Sequence, residues 1–128
     1  MSKADSHKER STDLGIVKIS NDAITSIASA AAMEIRGVYK MGGGLRRTIC
    51  DIFLKKYSGG GVRIVTKESE VSLIVSILVE YGVDIPRIAD EVQENVKRAV
   101  EKMTGLVMSE VEVVVEGVRV PGAEGRGR

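Results

Sequence analysis

The chain has 128 residues, 43% of them hydrophobic and 29% charged, the size and make-up of one globular domain. With 19 Lys and Arg against 18 Asp and Glu, the net charge of +1 lacks the basic signature of a nucleic-acid or anionic-membrane binder. One Cys excludes an internal disulfide and, with one His, a Cys/His metal centre.

In chain order, residues 1–13 are polar and charged and carry His7, the only histidine. They read as a disordered tail, with no apolar stretch that would make a secretory signal. Leu14 to Ile19 reads as a short strand. Ser20 then suits a helix N-cap, with Asp22 at the positive end of the helix dipole. Ala23, Ile24, Ile27, Ala28, Ala31 and Ile35 follow at helical spacing, and Gly37 suits the helix stop.

The next stretch is irregular. Gly42, Gly43 and Gly44 precede LRRTICDIFLKKY, and three more glycines follow Ser58. Leu45, Ile49, Ile52, Phe53 and Leu54 are apolar, and basic Arg46, Arg47, Lys55 and Lys56 flank them. This predicts a short amphipathic helix on glycine hinges. Val62 to Thr66 and Val71 to Glu80 read as two strands of a hairpin. Val71, Leu73, Val75, Ile77 and Val79 share one face of the second; Ser72, Ile74, Ser76 and Leu78 share the other.

Gly82 ends that strand, Asp84 can cap a helix and Pro86 fits its first turn. Ile85, Ile88, Ala89, Val92, Val96, Ala99, Val100 and Met103 keep helical spacing up to Gly105. Glu94 and Arg98 form a favourable surface pair. Val107, Val111, Val113 and Val115, with Glu110, Glu112 and Glu116 opposite, predict a half-exposed strand. From Val120 onward the chain is a Pro/Gly-rich tail. The longest largely apolar run, Val71 to Val79, is far short of the roughly 18–20 residues of a membrane span.

The order β-α-(short helix insert)-β-β-α-β predicts an α+β, two-layer sandwich over residues 14–118, between tails 1–13 and 119–128. A ferredoxin-like split βαβ is expected, with helices on one face of a four-stranded antiparallel sheet. Another two-layer arrangement with a different strand order stays open.

Chemistry is sparse. Cys50 has no ordered histidine to activate it and reads as a core thiol. Gly42, Gly43 and Gly44, with Arg46 and Arg47, could present amides and cations to an anion, although no Walker A or dinucleotide fingerprint is present. Arg46, Arg47, Lys55 and Lys56 could instead serve a docking helix for a partner or lipid. The stacking aromatics of an RNA-binding sheet are missing: Tyr39, Tyr57 and Tyr81 do not alternate on a strand face. No cofactor or metal and no enzyme activity is expected.

The segments GIVKIS, IASAAAMEIRGVYKMGGG, GVRI and VEYGVDIPRIADEVQENVKRAVEKMTGLVMSEVEVVVEGV together resemble the alkaline shock protein/general stress (Gls) family, over roughly Gly15 to Val118. The resemblance implies a non-enzymatic, cytoplasmic bacterial protein of cell-envelope stress and homeostasis. It implies action through protein partners, with an integral-membrane anchor in some members and homo-oligomers in others. The family offers no catalytic residues to carry over. The competing expectations are a small anion- or nucleotide-binding regulatory domain using Gly42–Arg47 and an RNA-binding module.

Overall fold

The computed structural model describes residues 7–43, 56–67 and 70–122. Strand β1 (His7–Thr12) pairs antiparallel with β2 (Gly15–Ser20). Ser20 ends β2 and caps α1 (Asn21–Met33), its hydroxyl accepting from the Ala23 amide. After a turn come β3 (Val38–Met41), β4 (Lys56–Gly59), β5 (Val62–Lys67) and β6 (Glu70–Glu80). Helix α2 (Ile85–Thr104) and β7 (Met108–Arg119) complete the order.

The expected two-layer α+β sandwich is present. Neighbours among β3, β4, β5 and β6 run antiparallel. The wiring departs from the ferredoxin-like expectation in two ways. Strand β7 adds to β6 in parallel, so β6, α2 and β7 form a βαβ unit with adjacent strands. Strand β2 is absent from this sheet and, among the described strands, pairs only with β1. Ser20 ends β2 and Asn21 begins α1, leaving no loop in which β2 could fold back beneath the helix.

That pairing also corrects the assignment of residues 1–13 as disordered, since His7–Thr12 form a strand. A ladder needs backbone amides, not apolar side chains, so polarity did not exclude it. The turn is held by Thr12, whose Oγ1 accepts from the Leu14 amide and donates to Gly15 O.

Strand β6 is the organiser of the sheet. On its far side from β7 it pairs with β5 through Glu70–Val75 and with β3 through Ile77–Val79. The two neighbours therefore abut end to end. At the junction Ser76 N donates to Gly61 O and Ser76 O accepts from Gly42 N, each at 2.8 Å.

The core lies between one sheet face and the two described helices. Leu73, Val75, Ile77 and Val79 are fully buried against Ile24 and Ala28 of α1 and Val92, Val96 and Val100 of α2. Each fully buried aliphatic side chain contributes roughly 1.5–3 kcal/mol. The small residues Ala28, Ala31 and Ala32 let α1 lie close beneath the sheet and beside α2. Asn95 clamps the helices together, donating to Ala31 O at 2.8 Å and to the Glu34 carboxylate at 2.9 Å. It thereby adds a second donor to a carbonyl in the last turn of α1 that also accepts from the Glu34 amide at 3.3 Å.

Three local expectations change. Helix α1 ends at Met33 with Glu34 as its cap, one turn before Gly37. Gly37 serves close packing instead, because a Cβ there would lie 2.6 Å from Ile88 Cδ1. In α2 the buried stripe is Ile88, Val92, Val96, Val100 and Thr104, whereas Met103 is 68% exposed. Strict spacing by four selects Thr104, whose hydroxyl donates back to Val100 O at 2.6 Å. Val107 likewise lies outside β7, and Met108 takes the buried position.

Candidate functional site

Of the residues singled out in the glycine-bounded stretch, Gly44, Arg46, Arg47 and Lys55 lie outside the described residues, as does Cys50. The amphipathic helix expected there falls largely in the same gap. Its last residues, Lys56 and Tyr57, are strand and belong to β4. The glycines that follow form no hinge: Gly60 and Gly61, with φ of 58° and 81°, make the two-residue turn between β4 and β5.

Gly42 is likewise committed to the sheet. Its amide is used by Ser76 O, and the Glu116 carboxylate lies so close that a Cβ on Gly42 would meet it at 2.5 Å. A spent donor beside a carboxylate is a poor place for an anion, so Gly42 does not support the anion-site expectation. Gly43 has open space where a side chain would be.

The outer side of α2 is densely charged. Its charges are largely satisfied within the helix: Arg87 pairs with Glu91 at 3.2 Å, Glu94 with Arg98 at 3.1 Å and Lys97 with Glu101 at 2.9 Å. Glu101 also accepts from the Met108 amide at 2.9 Å, and Lys97 donates to Met108 O. That amide above all, then the Lys97 ammonium, holds the Glu101 carboxyl below its ordinary pKa. Gln93 donates to Val111 O at 2.8 Å. These residues tie the helix to the first half of β7, giving them structural work.

Two surfaces emerge that the sequence patterns did not mark. One is the end of the sheet where β3 begins and β6 and β7 finish. The Arg119 guanidinium lies 4.9 Å from the Tyr39 ring centre and pairs with Glu80 at 3.2 Å. Lys40 Nζ lies 5.9 Å from the same ring. Tyr81 and Val118 are exposed nearby in the chain, and the Tyr81 amide donates to Arg119 O. Tyrosine and arginine together are the composition of interface anchors. The second surface is the outer sheet face, turned away from the described helices. It holds Ser72, Ile74, Ser76 and Leu78 of β6, flanked in register by Arg63 and Val65 of β5 and by Glu110, Glu112 and Val114 of β7. A shallow depression of about 490 Å³ opens here, lined by Val65, Ser72 and Ile74 and edged by Glu70, Glu110 and Glu112.

Among the described residues no three His, Cys, Asp or Glu side chains converge as a metal site would require. No described helix is long and apolar enough to cross a membrane. Fold and surface define an α+β domain with a helix-covered core and a second sheet face over which no described helix lies.

This chain belongs to the alkaline shock protein 23 family, described as having a cell envelope-related function, whose family model matches residues 9–120. It is 33% identical over 108 residues to the uncharacterized protein YqhY of Bacillus subtilis strain 168, covering 84% of this chain and 80% of that protein. It is 31% identical over 114 residues to YloU of the same organism, covering 88% and 95% respectively. Spy1614 of Streptococcus pyogenes serotype M6 is 28% identical over 110 residues, covering 84% of this chain and 91% of that protein. No solved structure gives a significant match. The alkaline-shock resemblance read over roughly Gly15 to Val118 is borne out, the family model spanning residues 9–120.

Proposed function

We propose that this chain is a non-enzymatic envelope stress response protein that works by protein–protein contact at the cytoplasmic side of the membrane. The observation that carries the reading is the match of residues 9–120 to a family of cell envelope-related function. With no described helix suited to crossing a bilayer, membrane proximity would come from an integral-membrane partner. The tyrosine–arginine patch around Tyr39 and Arg119 and the outer sheet face are the surfaces available for such contacts.

The experiment is cross-linking in native cells followed by affinity capture of this chain. Recovery of an integral-membrane protein is the expected result. Capture of soluble proteins alone would count against membrane tethering. The anion-binding reading is less well supported, because the Gly42 amide is already used by Ser76 O. Thermal stabilisation by millimolar phosphate ligands would revive it.

A further inference from the structure

A sheet with one face packed and one face open is ordinary when the open face is polar. Here the outer face is not uniformly polar. The register brings Val65 of β5, Ile74 and Leu78 of β6 and Val114 of β7 to the side away from both described helices. All four are half-buried and form an apolar strip across three strands. No described helix lies over it.

The edge of this strip is acidic. Glu110 stands beside Ser72 and Glu112 beside Ile74 in the β6–β7 register. Glu70 opens β6, and the Glu116 carboxylate sits against Gly42 and Ser76. Glu110, Glu112 and Glu116, on the β7 side, have no ion-pair partner among the described side chains, whereas Glu70 stands opposite Lys67 in the β5–β6 register. The acids of α2, by contrast, are mostly paired with basic neighbours one turn away. The basic positions of this face lie on the other side of β6: Arg63 opposite Ile74, Lys67 opposite Glu70 and Lys40 opposite Leu78, so the acidic edge is the β7 edge.

We infer that the outer sheet face is the docking surface for a lysine- and arginine-rich amphipathic helix of a partner protein. The inference rests on the interaction reading above and names the chemistry of the partner. An apolar strip demands an apolar stripe on its partner, and the next layer on a sheet face is most readily a helix. The unpaired carboxylates select basic flanks and reject an acidic or anionic-lipid surface.

The test is a methyl-detected NMR titration of the full chain with a synthetic 18-residue peptide of leucine and lysine at helical spacing. Saturable shifts at Val65, Ile74, Leu78 and Val114 are expected. The Glu110→Gln/Glu112→Gln variant should bind about tenfold more weakly, a loss matching two rim charge pairs. Both substitutions are at exposed positions, so the fold should survive and its unchanged spectrum can be checked directly.

Four results would overturn the inference. Shifts could map to Asp90 and Glu94 on α2 instead. A leucine–glutamine peptide of the same length could bind equally well. Deletion of residues 44–55 could itself move the face's methyl signals, making the chain its own occupant. Ultracentrifugation could show a dimer that Ile74→Lys abolishes, making the occupant a second copy. Since the titration uses purified protein, failure to capture a membrane partner in cells would leave its result standing, and the reverse also holds.

Discussion

The Gly42 amide donates to the Ser76 carbonyl at 2.8 Å, at the point where β6 exchanges β5 for β3 as its neighbour. The amide of the same Ser76 reaches Gly61 O, so a single residue of β6 joins the ends of two strands. The junction admits no side chain at Gly61. Its φ is 81°, and a Cβ would lie 2.8 Å from Gly42 O and 2.9 Å from Met41 Cβ. Gly61→Ala is therefore expected to cost about 2–4 kcal/mol, combining backbone strain with a clash. Gly43→Ala, with nothing within 4 Å, should stay within about 0.5 kcal/mol. Urea denaturation midpoints compare them directly, and equal values would contradict the junction.

The Asn95 clamp makes a second case. Its side-chain nitrogen serves both Ala31 O and Glu34, across two helices. Asn95→Ala should destabilise by about 1–2 kcal/mol, the loss of a bond to a carbonyl and one to a carboxylate. Glu34→Gln, which keeps an acceptor, should cost less. Chemical denaturation of the three proteins tests the ordering.

Glu101 gives a pH-dependent effect. The Met108 amide, and then Lys97, hold its carboxyl below the ordinary pKa in the folded state. A depressed folded-state pKa contributes stability that is present above the unfolded value and is lost as pH falls through the folded one. Glu101→Gln should lower Tm at pH 7, with the gap to the parent narrowing as pH drops through the acid range. Thermal melts across pH would show it, and a gap independent of pH would assign the effect to packing instead.

The buried stripe of α2 predicts a contrast between two positions of the same helix. Ile88 is 1% exposed and Met103 is 68% exposed. Ile88→Ala should cost about 2–5 kcal/mol. Met103→Lys should stay within about 0.5 kcal/mol, although the apolar spacing seen in the sequence includes it. Matching losses in a denaturation series would put Met103 back in the core.

Much of the body of the domain was legible. The alternation Val71–Val79 marked which face of β6 is buried, and the Asp84 cap, Pro86 and Gly105 bounded α2 closely. These signals are local, since each is a period or a backbone preference acting within one element. The working surfaces were not legible in the same way. Glu110 and Glu112 read simply as the wet side of a half-exposed strand, and Ser72 and Ile74 as a mixed face. That they stand beside one another is a fact of the β6–β7 register, which joins residues almost forty positions apart.

Two helices and their core stripes, the hairpin of β5 and β6, an aliphatic interior and the family all follow from the order of residues. They do so because amphipathic period, capping chemistry and glycine stops are written within a few residues of where they act. Three outcomes needed the assembled fold: β7 lies parallel beside β6, β2 leaves the sheet to pair with β1, and Gly42 is bound into the ladder. Those outcomes depend on which strand edges remain free once the helices have packed, and a free edge belongs to the assembled sheet rather than to any one segment.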